Sequence, residues 1–527
     1  MISKKILFTG AVAGFSGLLA AQSRPNVLFI AVDDLKPVLN CFGEKQIKSP
    51  NIDKIAGMGT VFANCYCQQA VCSPSRVSLL TGMRPDATGI YDLRTYFRDK
   101  RPNAVSIAGC FKQNGYETVA RGKIFHGNPD APSWTIKYKK KPQLGHFDKK
   151  FGRAVYDYQA PKNKKAFIDE MLREKKKCQA TGKKMNYSKI RRTVAKNGFA
   201  PPYECVDGPD NMYIDGELAI EGVNLLKRLS KGKKPFFLAV GFVRPHLPFN
   251  APKKYWDMYK PEDIKTAAFK TRTSDPVKYA YNGSGELKSC YSVPKKFDEA
   301  FHRKMIHAYY ASVSYVDAQI GKLLDELKRQ NLDKNTIIVL WGDHGWHLGD
   351  HGMFCKHTNF EQATRAPLII AAPGYKGGQV SRSLTEFVDI YPTLCSLAKI
   401  KAPANIQGES LVPILKNPKY QLKDFAVSQY PRERYTIMGY SLRDKRYRLT
   451  VWFGKSLKSF NVPKESDILA GELYDYEKDP DEKFNLYKKP EYSSIKQKLW
   501  KEMQEYFKKS AGHNRKYPFG TPIKTEI

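Results

Sequence analysis

The chain has 527 residues, 42% of them hydrophobic, which is enough apolar material for one large core and a smaller second one. Its 88 Lys and Arg residues outnumber 52 Asp and Glu residues, and the formal charge of +36 creates a field that attracts polyanions. The sequence has no zinc-finger spacing, no RNA-binding aromatic signature and no basic helix followed by heptads, which argues against nucleic acid as the partner. Ten Cys residues are too few for a disulfide scaffold, and their pairing stays open.

The N-terminus predicts an export signal. Lys4 and Lys5 precede an apolar run over residues 6–20, and small residues follow up to Ala21. Such a run is short for a bilayer span, so we predict a signal peptide over residues 1–21, a periplasmic or extracellular location, and no membrane span after cleavage. The remaining charge of +34 favours a sulfated or uronic-acid polysaccharide as the partner. A basic surface kept for solubility or adhesion is the alternative.

From residue 24 to about residue 400, short apolar runs alternate with helical patterns. This order predicts an α/β fold with a large central, mostly parallel sheet flanked by helices. Four apolar runs predict buried parallel strands: residues 27–32, 236–243, 336–341 and 367–371. Because ligands bind beyond the carboxyl ends of strands in open α/β sheets, polar residues after these runs are the first candidates for a site.

The remaining elements divide the chain into two parts. Helical periodicity predicts a long helix over residues 300–330 and another over 386–400. The Lys-rich segment 137–196 has little regular apolar spacing and predicts an insertion or a long surface excursion. Two β-type runs within 436–453 and a closing helix over 491–509 predict a different architecture near the C-terminus. We therefore predict a catalytic domain over 24–404 and a smaller α+β subdomain over 405–527.

The strongest local signal is the segment Cys72-Ser73-Pro74-Ser75-Arg76, which continues to Gly82. Pro74 suits the first turn of a helix, so Cys72 is expected at a helix N-terminus, where backbone N–H groups and the helix dipole favour an anion. Arg76 lies one turn further and can direct its guanidinium toward the same anion. A buried structural thiol is the alternative for an isolated Cys.

This segment resembles the signature of the sulfatase family, within the alkaline-phosphatase-like superfamily. The resemblance implies that a separate enzyme, either formylglycine-generating or anaerobic sulfatase-maturating, oxidises Cys72 to formylglycine. It also implies that the aldehyde is hydrated, that one hydroxyl attacks sulfur, and that the other later expels sulfate as the aldehyde re-forms. A serine could be sulfated but would lack the second hydroxyl that makes release intramolecular.

Carboxylates follow two of the predicted strands. Asp33 and Asp34 follow the first run, and adjacent carboxylates there are costly unless a cation neutralises them. Asp343 and His344 follow the run 336–341. By the resemblance, these four residues and the modified Cys72 form the divalent metal site, and their oxygen-rich composition favours Ca²⁺ over Zn²⁺.

Three His residues lie close together in this part of the sequence: His344, His347 and His351. Many sulfatases carry Asn where this chain has His344, and the His resembles the iduronate-2-sulfatase-like branch. His347 and His351 are rival metal ligands. Because they lie further along the chain, we expect them to line the cleft or to be structural.

The resemblance assigns the remaining catalytic residues. Lys123 and His126, in Gly122-Lys123-Ile124-Phe125-His126-Gly127, are implied to hold the diol, with His126 accepting its proton. Two residues separate Lys from His here, as in the iduronate branch, where the commoner pattern has one. His246 is implied to bind sulfate and to protonate the leaving alcohol, and Lys356 to bind the sulfate. A structural role is the alternative for each His.

The resemblance therefore implies a sulfuric ester hydrolase that removes sulfate from a sulfated polysaccharide or oligosaccharide of undetermined identity. Two alternatives stay open at this point. One is a phosphate- or phosphonate-monoester hydrolase of the same superfamily. The other is a non-enzymatic, basic polysaccharide binder in which Cys72 stays unmodified.

Overall fold

The computed structural model describes residues 24–139, 156–454 and 462–511. The predicted signal peptide over residues 1–21 lies outside the described residues, as does part of the Lys-rich segment. Within the described ranges, no helix is both long enough and apolar enough to cross a membrane.

The strands form one large sheet, one four-stranded sheet and two small two-stranded sheets. In chain order the strands are β1 (Asn26–Val32), β2 (Thr60–Tyr66), β3 (Glu117–Gly122), β4 (Tyr203–Val206), β5 (Phe236–Phe242), β6 (Phe249–Pro252), β7 (Thr336–Gly342), β8 (His347–Leu348), β9 (Phe354–Cys355), β10 (Leu368–Ala371), β11 (Gln379–Glu386), β12 (Ala426–Arg432), β13 (Ile437–Arg443), β14 (Tyr447–Phe453) and β15 (Ile468–Asp475).

The α-helices of the described ranges lie mainly between the strands of the large sheet. In chain order they are α1 (Pro50–Met58), α2 (Cys72–Thr81), α3 (Pro85–Thr88), α4 (Phe97–Lys100), α5 (Ile107–Gln113), α6 (Pro161–Thr181), α7 (Tyr187–Lys196), α8 (Ile214–Leu229), α9 (Lys253–Trp256), α10 (Gly285–Cys290), α11 (Glu299–Arg329), α12 (Glu361–Thr364), α13 (Ile390–Leu397), α14 (Val412–Lys416) and α15 (Ser493–Ala511).

The large sheet has the strand order β11-β2-β10-β7-β1-β5-β3. Strands β7, β1, β5 and β3 are parallel neighbours, so their carboxyl ends share one edge. The sheet is mostly parallel and flanked by helices, which confirms the predicted fold class.

The prediction of a parallel strand at 367–371 is wrong, because β10 is antiparallel to both β7 and β2. A parallel strand requires a crossover that returns the chain to the opposite edge of the sheet. The connection from β7 to β10 contains the hairpin β8–β9, a single 3-10 turn and the short helix α12, and no crossover helix. The chain therefore re-enters the sheet from the edge at which β7 ends. The apolar pattern of the run could not predict this, because the pattern is the same for either direction of the strand.

The alternation of side chains along β1 divides the core into two layers. Leu28, Ile30 and Val32 pack on one face with residues of α8 and α11. Val27, Phe29 and Ala31 face the other side, where residues of α2, α5 and α13 cover them. Because both faces are covered by helices, β1 is entirely buried and its sequence is apolar throughout.

The C-terminal part contains the smaller sheet, in the order β12-β13-β14-β15, with every pair antiparallel. Helix α15 packs on it through Leu499, Met503 and Phe507. The two β-type runs predicted within 436–453 are β13 and β14. The exact division of the chain at residue 404 stays a prediction.

The described part of the Lys-rich segment is more regular than the sequence suggested. Helices α6 and α7 pack together through a small apolar cluster that includes Phe167, Met171, Ile190 and Val194. Phe167 and Met171 are four residues apart on α6, and Ile190 and Val194 are four residues apart on α7, so the members of each pair lie on one face of their helix. The many Lys residues between them hid this short stripe from the sequence pattern.

Candidate active site

The carboxyl edge of the large sheet gathers the polar residues that follow β7, β1, β5 and β3. Asp343 follows β7, Asp33 follows β1, and Lys123 follows β3. His246 lies four residues beyond the end of β5. Because these four strands are adjacent, residues far apart in sequence meet at one place, as expected for an open α/β sheet.

Helix α2 brings Cys72 to this edge. The helix begins at Cys72, has Pro74 in its first turn, and ends before Gly82, whose φ of 66° is left-handed. All ten of its residues are buried, which is unusual for a helix with this many polar residues. The hydroxyl of Ser75 donates a hydrogen bond to the backbone carbonyl of Asp343, which fixes the helix against the end of β7.

Arg76 connects two of the carboxylates. Its Nη2 lies 2.9 Å from Asp33 Oδ1 and its Nε lies 2.9 Å from Asp343 Oδ2. Its Nη1 donates to the backbone carbonyls of Lys123 and Ile124, at 2.5 and 3.0 Å. The fully buried guanidinium therefore bridges the two carboxylates through two of its N–H groups and binds backbone carbonyls through Nη1. The predicted contact between Arg76 and a substrate anion stays a prediction.

Asp33 is held between two cations. Lys123 Nζ lies 2.5 Å from its Oδ2, while Arg76 takes its Oδ1. Burial raises the pKa of Asp33, but the charges of Lys123 and Arg76 outweigh burial and hold the pKa well below its usual value. Asp33 is therefore ionised, and both of its oxygens are engaged by side chains of this chain.

Asp34 has the opposite electrostatic balance. Lys356 Nζ lies 2.9 Å from its Oδ2, but burial together with the nearby carboxylates of Asp33 and Asp343 raises the pKa of Asp34 well above its usual value. The backbone N–H of Asp34 donates to Asp343 Oδ1 at 2.9 Å, and its φ of 59° is left-handed. A strained residue whose carboxylate lacks enough positive charge is a strong candidate ligand for a cation.

His344 presents a nitrogen to the same group. Its Nδ1 lies 2.9 Å from the carbonyl oxygen of Gly345, which can only accept, so Nδ1 carries the proton. Its Nε2 is then a lone-pair donor and lies 3.2 Å from Asp34 Oδ1 and 3.5 Å from Cys72 Sγ. Burial lowers the pKa of His344, which keeps the ring neutral, the form that binds metals.

The donor set fits a divalent cation. One ligand atom from each of Asp34, Cys72, Asp343 and His344 lies within 4.8 Å of the others, and all four side chains are buried. The Cys72 sulfur stands where an oxygen of a modified side chain would lie. The site contains four buried or half-buried carboxylates and three permanent cations: Asp33, Asp34, Asp343 and Glu286 against Arg76, Lys123 and Lys356. Negative charge is therefore in excess, and a bound cation would neutralise it. Asp33 belongs to a second such group with His246.

His246 faces this group from β5. Its Nδ1 lies 2.7 Å from the carbonyl oxygen of Leu247, and its Nε2 lies 3.4 Å from Glu286 Oε1 and 3.8 Å from Asp34 Oδ2. Burial, together with the charge of Lys356, lowers its pKa well below the usual value. The imidazole is therefore neutral in these surroundings.

Glu286 is a residue of the site that sequence reasoning missed. It lies on the short helix α10 and forms an ion pair with Lys356 at 3.0 Å in addition to its contact with His246. Burial raises the pKa of Glu286, but its positive surroundings, the charge of Lys356 above all, outweigh burial and lower the pKa. Glu286 follows no predicted strand and belongs to none of the motifs, so no local signal identified it.

The other predicted or rival His residues lie differently. His126 is half-buried, three residues beyond Lys123, and its catalytic role stays a prediction. His347 Nε2 lies 2.8 Å from the Thr358 hydroxyl, and His351 Nε2 lies 3.6 Å from Glu482 Oε2. Within the described ranges, neither His347 nor His351 belongs to a metal-binding group.

Comparison with known proteins matches this chain to two family models. The sulfatase model covers residues 25–400, and the model named N-sulphoglucosamine sulphohydrolase, C-terminal, covers residues 349–509. Human iduronate 2-sulfatase is 33% identical over 531 residues, which span 88% of this chain and 91% of that protein.

Solved structures with the same fold include one in complex with its substrate D-glucosamine-2-N,6-O-disulfate. It has a TM-score of 0.69 and 22% identity, and the match covers 96% of this chain and 100% of that one. The phosphonate monoester hydrolase of Agrobacterium radiobacter also has a TM-score of 0.69, with 20% identity over 93% of this chain and 96% of that one. The family model covers most of the chain and the human relative exceeds 30% identity, so this chain belongs to the sulfatase family and is a sulfatase.

Proposed function

We propose that this chain is a formylglycine-dependent, Ca²⁺-dependent sulfatase that removes sulfate from a sulfated polysaccharide or oligosaccharide. One observation carries the proposal. Position 72 lies within 4.8 Å of an Asp34–Asp343–His344 ligand set, and the cations Arg76, Lys123 and Lys356 contact the carboxylates of the site. Such a site can hold both a metal ion and an anionic ester.

The thiol at position 72 is poorly suited to act as the nucleophile itself. Burial, with a contribution from the Asp33 and Asp343 charges, raises the pKa of Cys72 well above its usual value despite Lys123 and Lys356. A protonated thiol is a weak nucleophile. A hydrated aldehyde at this position would replace sulfur by oxygen, which is also the ligand atom that Ca²⁺ prefers.

The chain's own cations suit a sulfate monoester. Negative charge lies on the nonbridging sulfate oxygens and develops on the bridging oxygen as the ester bond breaks. Lys123 and Lys356 are held at the site by Asp33 and Asp34, so both ammonium groups are positioned before substrate binds. In the proposed reaction His246 gives its proton to the leaving alcohol, and His126 accepts the proton of the diol.

A bound sulfate ester would raise the pKa of His246 and so prepare it for proton donation. Its pKa is lowered well below the usual value, first by burial and then by Lys356. A bound sulfate ester adds negative charge next to Lys356 and so counteracts that effect. Glu286, 3.4 Å from Nε2, already acts in the same direction.

The residues named here would hold one Ca²⁺ ion: Asp33, Asp34, Cys72 in modified form, Asp343 and His344. When bound, the ion would withdraw electron density from sulfate oxygens and neutralise the carboxylates. The mixture of several carboxylate oxygens with one imidazole supports a hard cation, although the imidazole is not typical of Ca²⁺ sites.

The proposed substrate rests on the relatives and on charge. The human relative is named for iduronate 2-sulfate, and a relative from Bacteroides thetaiotaomicron, 28% identical over 90% of this chain, is a Δ4,5-hexuronate-2-O-sulfatase. The formal charge of +36 suits a polyanionic glycan. We further propose that residues 1–21 direct export and that a maturation enzyme modifies Cys72 before the chain folds around it.

The test is a comparison of matched esters on the enzyme co-produced with a maturation enzyme. Wild type should release sulfate from sulfated uronate disaccharides and from 4-nitrophenyl sulfate, and Cys72→Ala should release none. Faster hydrolysis of the matched phosphate or phosphonate ester would instead favour the phosphonate-monoester reaction, whose known enzyme shares this fold. Full activity of Cys72→Ala would reject the mechanism.

A further inference from the structure

A cavity lies beside the reaction centre on the side of the C-terminal sheet. Its volume is about 310 Å³, and its walls include Val71 and His357. Val71 directly precedes Cys72, and His357 directly follows Lys356. The backbone N–H of His357 donates to the carbonyl of Ala70 at 3.1 Å, so the two segments that carry these residues of the site also meet at the cavity.

The opposite wall is the hairpin between β12 and β13. Tyr430, Arg432, Arg434 and Tyr435 line the cavity from this hairpin. Glu433, Arg434 and Tyr435 are consecutive residues with φ values of 48°, 52° and 69°. Three non-glycine residues in the left-handed region are strained, and such strain concentrates where the chain must present particular side chains.

Arg432 fixes this hairpin to the catalytic segment. Its guanidinium donates to the backbone carbonyl of His357 at 2.6 Å and to that of Tyr279 at 2.7 Å. It also stacks over the ring of Tyr430, 4.5 Å from the ring centroid. Tyr430 in turn lies near enough to Lys356 and Glu286 for their charges to affect its pKa, which burial raises. The wall of the cavity is therefore anchored directly to the segment that carries Lys356.

Arg434 is available to bind an anionic ligand, because the acids of the cavity wall form no ion pair with it. Among the described residues, Arg434 makes no ion pair, and its side chain is exposed. The carboxylate of Asp92 accepts hydrogen bonds from the backbone N–H groups of Arg94 and Thr95 and from the Thr95 hydroxyl. Glu433, the other acid of the wall, is exposed to solvent. A guanidinium without a partner, beside aromatic rings and the exposed Leu93, matches an anionic sugar.

We propose that this cavity is a carbohydrate subsite for the sugar next to the sulfated residue, with Arg434 binding the carboxylate or sulfate of that neighbouring sugar. The proposal rests on the proposed function of the adjoining site. The side chains of Tyr430 and Tyr435 provide apolar contact for the sugar, and Arg434 provides the charged contact that distinguishes an anionic sugar from a neutral one. The cavity thereby selects an oligosaccharide over a small sulfate ester.

The test measures binding and turnover separately. Binding is measured on full-length Cys72→Ala protein, with and without Arg434→Gln, against sulfated, uronate-containing disaccharides from heparin, chondroitin sulfate and ulvan. Arg434→Gln should weaken binding of the preferred disaccharide about tenfold or more, since a charge-assisted hydrogen bond is lost. Arg434→Lys should restore part of that loss. Arg382→Gln, an exposed arginine of β11 outside the cavity, is the matched control and should change nothing.

Turnover distinguishes the subsite from the reaction centre. On 4-nitrophenyl sulfate, which has no neighbouring sugar, the single variant Arg434→Gln should keep the wild-type kcat/KM. The assignment is wrong if no disaccharide of the panel loses affinity in Arg434→Gln, or if Arg382→Gln loses as much. If wild type hydrolyses no sulfate ester, the proposed function fails, while the binding measurement still decides whether the cavity holds an anionic sugar.

Discussion

Lys356 and Glu286 form an ion pair at 3.0 Å, although 70 residues separate them in the chain. Glu286 also lies 3.4 Å from His246 Nε2, so one carboxylate connects the predicted sulfate-binding lysine with the predicted proton donor. The negative charge of Glu286 raises the pKa of His246 and opposes the effect of Lys356. Glu286 is therefore expected to act through its two neighbours and to serve as a positioning residue.

Replacing Glu286 by Gln tests this role. We expect kcat to fall about tenfold or more, because His246 loses the charge that favours its protonated form. KM should stay level or fall, because Lys356 keeps its charge for the substrate anion. Steady-state kinetics on one sulfate ester give both constants. Glu299→Gln, an exposed glutamate paired with Lys270, is the control. A rise in KM at constant kcat would contradict this role.

Arg76 offers a second prediction. A lysine at position 76 has one ammonium group and cannot bridge Asp33 and Asp343 while also meeting two carbonyls. Arg76→Lys should therefore lower turnover by about 10²-fold and destabilise the fold by a few kcal/mol, at the lower end of about 3–5 kcal/mol for a broken buried pair. Thermal unfolding and single-substrate kinetics measure the two effects. Wild-type stability in the variant would show that the clamp is dispensable.

Removal of the metal ion gives a third prediction. Chelation should abolish activity and lower the melting temperature, because Asp34 and Asp343 would be left buried side by side without a cation. Ca²⁺ should restore both properties in the wild type but not in Asp34→Asn. Unfolding followed by circular dichroism reads stability independently of activity. Equal recovery with Zn²⁺ alone would contradict the assignment of Ca²⁺.

The buried Glu472, on β15 of the C-terminal sheet, predicts a pH effect on stability. Burial raises its pKa from 4.5 to about 7, while Trp452 and Tyr474 donate hydrogen bonds to it, each at 2.8 Å. A raised folded-state pKa means that the folded protein binds the proton more tightly, so stability falls as pH rises from about 4.5 to about 7. The loss amounts to roughly 3 kcal/mol at most.

Glu472→Gln should remove this pH dependence. Relative to wild type, the variant should gain stability between about pH 4.5 and pH 7, and the difference should then level off. Urea unfolding at several pH values measures the difference, with Glu299→Gln as an exposed control. A constant difference between wild type and Glu472→Gln across this range would show that the carboxylate does not titrate there.

The sequence predicted the fold where patterns are local and strong. The fully buried strands β1, β5 and β7 stood out as apolar runs, and Asp33, Asp34, Asp343 and His344 stood out because they follow those runs. The direction of β10 could not be predicted in the same way, because a fully apolar run does not indicate in which direction the strand runs. Direction depends on how the preceding connection returns to the sheet.

The parts of the site that the sequence did not reveal depend on tertiary contacts. Glu286 lies on a six-residue helix with no motif, and only the fold brings it to Lys356. The contacts of Arg76 with Asp33, Asp343 and two backbone carbonyls likewise depend on the fold, while its contact with a substrate anion stays a prediction. The cavity beside His357 depends on a hairpin of the C-terminal sheet that is more than 70 residues away in the chain.

Mass spectrometry of the peptide that contains Cys72, from protein co-produced with a maturation enzyme, shows whether this residue becomes the nucleophile. We predict that the thiol is replaced by an aldehyde and that sulfatase activity rises in proportion to the converted fraction. An active preparation in which Cys72 remains an unmodified thiol would contradict it.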